Sequence, residues 1–173
     1  EVPPLKNLDV SLGWMLESEQ QNWPNFLRDF KKLGFNAIAT FPRYYESQGT
    51  TRKNLEFIKE AREQGYRVIY NESPFHVMWS RIQADTKAGK IDDAEANDIY
   101  NQIDGKRGQW MNILYRGKYF QDEVKRIASL AALVQPDEVY FDIEWGAASV
   151  AESKNDPRVI AAWKASGKEG EDF

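Results

Sequence analysis

The feature that most constrains this chain is a repeated cycle: a short apolar run of strand character, then an apolar run at helical spacing, with a tight turn back into the next strand. The first run spans Leu8 to Leu16 and contains Val10, Leu12, Trp14 and Leu16. Asn22-Trp23-Pro24 then opens a helix, with Asn as cap and Pro in the first turn. Phe26, Leu27, Phe30 and Leu33 recur along it until Gly34 closes it. Phe35 to Phe41 follows as a second strand, stopped by Pro42. Thr50 or Thr51 caps a helix bearing Leu55, Ile58 and Ala61, Gly65 ends it, and Tyr66 to Tyr70 is a third strand. After a long insertion, Tyr119 to Val134 is a helix stopped by Pro136, and Asp137 to Glu144 is a fourth strand. Asp156-Pro157 begins a last helical stretch with Val159, Ile160, Ala161 and Trp163.

Strand and helix in alternation predict an α/β fold with a parallel sheet and right-handed crossovers. The expected class is a (β/α)8 barrel of TIM type, with about the first four βα units present in a single domain over residues 1–173. A doubly wound open sheet is the rival; it prefers a glycine-rich phosphate turn after the first strand. Leu16-Glu17-Ser18-Glu19-Gln20-Gln21 holds no glycine there, and its two acids would repel phosphate. A closed barrel needs about eight strands. The barrel expectation therefore brings a partner with it, the remaining barrel half from the same longer protein or from a second copy. The strand-to-helix loops are long and polar (Arg43 to Thr50, Pro74 to Lys118, Gly146 to Asp156), and function gathers on that side of such folds. The insertion at about 75–116 is too long for a structureless loop. Its middle predicts a small helical excursion over the strand ends, either a lid or a decoration.

Composition narrows the function classes. A net charge of -4 offers no basic stripe for nucleic acid or an anionic membrane surface. No apolar run approaches the roughly 20 residues of a membrane span. Cysteine is absent, which excludes disulfides and Cys-based zinc or redox sites, and a single histidine, His76, makes no transition-metal site. Without a Walker loop, a dinucleotide fingerprint or a G-x-S-x-G elbow, no cofactor is expected. Six Trp residues suit a groove where flat rings stack on sugar faces, although most Trp side chains serve the core. The chain opens at Glu1, which a removed signal peptide or an excerpt from a longer chain both explain; the first gives an expectation of a secreted or periplasmic protein.

The most informative segment is Asp137-Glu138-Val139-Tyr140-Phe141-Asp142-Ile143-Glu144-Trp145-Gly146. Side chains alternate along a strand, so Val139, Phe141 and Ile143 share one face, suited to packing on helices, and Tyr140, Asp142 and Glu144 share the other. An ionised pair inside a packed core is very costly, but at the C-terminal mouth of a sheet water or substrate reaches it. Neighbouring carboxylates disfavour double ionisation, so the pair holds a proton near neutral pH. A glycosidic leaving oxygen needs such a proton from a general acid. The plainer reading is a pair salt-bridged by Arg43 that only closes the top of the fold.

This stretch resembles the fourth-strand signature of family 18 glycoside hydrolases, the chitinase and hevamine group, written D-x-x-D-x-D-x-E. Asp137, Asp142 and Glu144 fall on its first, third and last acidic positions, and Tyr140 stands where the second Asp belongs. The resemblance implies that Glu144 protonates the leaving oxygen, and that Asp142 orients an N-acetyl group acting as internal nucleophile where the substrate carries one. Around this pair, Trp14, Arg43, Tyr45, Glu72, Tyr140 and Trp145 complete a ring of candidate substrate-binding residues at strand ends. The leading expectation is thus a glycosidase acting on an oligo- or polysaccharide. A non-catalytic carbohydrate-binding barrel is the alternative, with Tyr140 marking a decayed signature.

Overall fold

Four of the apolar runs lie side by side as parallel strands. The structure, a computed structural model, describes residues 11–12, 23–40, 51–142 and 148–167. The elements in chain order are β1 (Ser11–Leu12), α1 (Trp23–Lys32), β2 (Ala37–Thr40), α2 (Thr51–Glu63), β3 (Arg67–Glu72), α3 (Pro74–Lys87) and α4 (Asp93–Ile99). They continue with β4 (Tyr100–Ile103), β5 (Lys106–Met111), α5 (Lys118–Val134), β6 (Glu138–Phe141), α6 (Val150–Ser153) and α7 (Pro157–Ala165). The chain divides into two compact units, residues 1–72 with 127–142, and residues 73–126 with 143–173.

The first unit is a parallel sheet in the order β1-β2-β3-β6 with helices beside it. Ile38 pairs with Val68, Tyr70 with Val139 and Asn71 with Tyr140. Residues in register share a face, and faces alternate along a strand. Ile38 and Val68 are buried with Leu27 of α1, Phe57, Ile58 and Ala61 of α2, Tyr66, and Val134 of α5. That is the helix-covered face, and alternation puts Thr40, Tyr70, Glu72, Val139 and Phe141 on it. Each large apolar side chain removed from water in this cluster contributes about 1.5–3 kcal/mol.

The short helix-to-strand turns have a shared geometry. Gly34 (φ 96) and Gly65 (φ 77) adopt the left-handed conformation that only glycine takes without a Cβ clash. Gly34 donates its N–H to the Lys31 carbonyl and Phe35 to that of Phe30, while Gly65 donates to Arg62 and Tyr66 to Ala61. Both are Schellman endings, and the first comes with its apolar contact, the Phe30 and Phe35 rings meeting edge to face at 5.3 Å. α5 ends differently. Gln135, a residue with a Cβ, takes φ 49 before Pro136, and the Arg62 guanidinium donates to the carbonyls of Val134 and Gln135.

The barrel expectation is corrected here. Among the described residues the parallel sheet has four strands and stays open, and the remaining two strands, β4 and β5, pair with each other antiparallel in a separate sheet. No barrel closes. The cause is topological: strand, helix, strand alternation dictates parallel pairing and crossovers, whereas closure takes about eight strands of consistent tilt and stagger. Among the described strands β6 is consequently an edge strand. Its alternation is as expected, yet Val139 and Phe141 on the helix-covered face remain 39% and 49% exposed.

The second unit contains most of the insertion and is only partly helical. Pro74 opens α3 and Asp92 caps α4 by accepting from the Glu95 N–H at 2.8 Å. β4 and β5 form a hairpin turned at Asp104 (φ 51) and Gly105 (φ 72), an Asp-Gly turn of the type that two-residue hairpins favour. Met78, Trp79, Ile82, Ile99, Met111, Tyr115 and Tyr119 make this unit's own core. Asn101 is buried against the hairpin and its Oδ1 accepts from the Trp110 N–H at 3.1 Å; a Cβ on Gly108 would sit 2.2 Å from that oxygen. α7 is tied down by ionic bonding. Asp156, 0% exposed, accepts from the N–H groups of Gln102 and Arg158 and from the Arg158 guanidinium. Arg158 in turn donates to the carbonyls of Asn97 (2.9 Å), Asp98 (3.1 Å) and Tyr100 (2.7 Å) at the C-terminal end of α4.

Candidate functional site

The candidate site lies in the first unit, at the C-terminal ends of β3 and β6 on the face away from the helices. Parallel sheets bind ligands beyond their strand C-termini, since only there do loops and free side chains converge. Three polar side chains occupy that region. Tyr140 is 54% exposed and sits directly beside Asn71 across the strand pair. Asp142 extends the ladder by one rung, donating its N–H to the Glu72 carbonyl at 2.8 Å, and alternation returns its side chain to the face of Tyr140. Asp142 and Asn71 are both partly exposed. The Oδ1 of Asn71 is shielded from solvent and has no hydrogen-bond partner.

The other end of the same face is committed to structure. Arg67 and Glu138 approach to 3.9 Å as a surface ion pair. Asp137, which matches the first acid of the family signature, uses its carboxylate to accept the Val68 N–H at 2.7 Å while its own N–H donates to the Val68 carbonyl at 2.9 Å. It thereby closes the ladder at the start of β6, and the sequence pattern had given no hint of this duty.

Glu72 stands apart from the expected ring. It is 0% exposed, belongs to the helix-covered face, and its carboxylate accepts the Tyr70 hydroxyl at 2.8 Å. The spacing of Tyr70 and Glu72, two apart on one strand, carried that pairing. His76 lies in the first turn of α3, exposed, in the second unit. Glu144, Trp145, Trp14, Arg43 and Tyr45 lie outside the described residues. Of the expected site residues, the structure thus brings together Tyr140 and Asp142, adds Asn71, and places Glu72 on the opposite face.

Among the described residues no group of three or more His, Asp or Glu side chains is placed to hold a metal ion, and no helix is long and apolar enough to cross a membrane. Comparisons with protein-family models, with curated proteins and with solved structures find no match.

Proposed function

We propose that this chain carries a glycoside hydrolase-like site acting on an oligo- or polysaccharide, with Glu144 as general acid and Asp142 as its partner. The observation that carries the reading is the placement of Asp142: last rung of a parallel sheet, partly exposed, on the same face as an exposed Tyr140. Glu144 follows two residues later, a spacing that returns to the same face in extended chain and sets the backbones roughly 7 Å apart. An acid in that position protonates the glycosidic oxygen as the bond to the anomeric carbon breaks. Water then adds at that carbon and returns a proton to Glu144. Asp142 holds an adjacent negative charge that favours the protonated form of Glu144 and stabilises the cationic sugar centre. Tyr140 offers an aromatic face beside the reacting bond. No cofactor enters this scheme.

Glu144→Gln keeps the shape and removes the proton. It is expected to lower turnover of 4-nitrophenyl glycosides and oligosaccharides by about a hundredfold or more while binding survives. Unchanged turnover would remove Glu144 from the role. Sugar binding without turnover in the unaltered protein would favour a non-catalytic carbohydrate-binding function.

A further inference from the structure

We propose that Asn71 is a sugar-contacting residue of this site, its carboxamide hydrogen-bonding a substrate hydroxyl; the inference rests on the hydrolase reading above. The polar groups of this sheet sort into committed and uncommitted ones. Arg67 and Glu138 face each other as an ion pair, Tyr70 bonds Glu72, and Asp137 closes the ladder at Val68. Asn71 differs. Its Oδ1 has no hydrogen-bond partner although solvent does not reach it; of its neighbours on that face Ala39 and Ile69 carry no side-chain donor, and the Tyr140 hydroxyl, in register beside it, does not bond to it. A buried acceptor without a donor costs stability, and native folds keep few of them. Its position gives the reason for keeping one: it is in register with Tyr140 and one rung short of Asp142, at the end of the sheet where a ligand would lie.

A carboxamide offers an acceptor and two donors on one short rotor, so a half turn about its last torsion presents either end to a hydroxyl. Because Oδ1 has no internal bond to break, turning it outward from its shielded position costs no bond at that atom, and a sugar hydroxyl then meets it without an internal competitor. An apolar residue of the same size would suit the sheet at least as well, which makes position 71 informative when changed.

The test compares the unaltered protein with Asn71→Leu and Asn71→Ala, using 4-nitrophenyl glycosides and soluble tetrasaccharides of several sugars as substrates. Thermal midpoints are read alongside. For Asn71→Leu, a midpoint unchanged or raised is expected, with kcat/KM lowered about tenfold or more, chiefly through KM. Kinetics that match the unaltered protein at an intact midpoint would overturn this inference alone. A midpoint lowered by several degrees in both variants would also overturn it, since Asn71 would then be serving the fold. Absence of turnover on every glycoside in the unaltered protein would instead overturn the hydrolase reading, and this inference with it.

Discussion

Arg158→Met is the sharpest probe of how the second unit holds together. The guanidinium donates to three carbonyls at the end of α4 and clasps Asp156, a carboxylate with no solvent exposure. Removing one partner of a buried ion pair costs about 3–5 kcal/mol, because the other charge stays behind without compensation. Two features lower the figure. Asp156 keeps two backbone donors, the N–H groups of Gln102 and Arg158, and the Arg158 side chain is 31% exposed. The expected loss is therefore about 3 kcal/mol, a large share of the stability of a small unit. Urea unfolding followed by tryptophan fluorescence reports it, since Trp79 and Trp110 lie in this unit with rings 6.1 Å apart.

Adding Asp156→Asn to Arg158→Met should recover at least about 1 kcal/mol, because the orphaned charge disappears. The acid limb gives a second reading. Burial pushes the Asp156 carboxyl up, but bonds from Arg158 and from the Gln102 N–H outweigh it and hold the group below its ordinary value of 3.8. A depressed carboxyl contributes stability above the ordinary value and loses it as pH falls through the folded value, so this contribution fades below about pH 4. Arg158→Met should lose much of that acid dependence. A cost under about 1 kcal/mol, or equal losses with and without Asp156→Asn, would mean that Arg158 does not compensate a buried charge at Asp156.

Two further outcomes follow from particular residues. Gln135 takes φ 49 at the end of α5, so Gln135→Gly should raise stability by about 1 kcal/mol in chemical denaturation, and a loss would mean the side chain earns more than its backbone strain. Tyr70→Phe removes the hydroxyl that bonds the buried Glu72 carboxylate and should cost about 1–3 kcal/mol with little effect on turnover, because both groups face the helices rather than the open side.

Much of the first unit was legible in the sequence, and the reasons are local. Gly34 and Gly65 ended their helices where a left-handed residue was needed, and Pro136 stopped α5 close to its observed end at Val134. The alternation along β6 also sorted Val139 and Phe141 from Tyr140 and Asp142 correctly. Closure was not legible, because strand periodicity encodes which face is apolar but not how many neighbours a strand will find. The hairpin of the second unit was missed although Asp104-Gly105 announces it, since the acidic run before it reads as helix and β4 is only Tyr100–Ile103. At the site, Asp142 and Tyr140 were readable from a motif on one strand. The place of Asn71 beside them was not, since it comes from a register with β6 that sits almost seventy residues away in the chain.

The most direct test of the account is the crystallographic separation of the Asp142 and Glu144 carboxyl groups, with their access to solvent. Both are expected on the face of Tyr140 and Asn71, open to solvent, their side chains converging from backbones roughly 7 Å apart. A Glu144 turned to the face of Val139 and Phe141, or a pair sealed by Arg43, would contradict it.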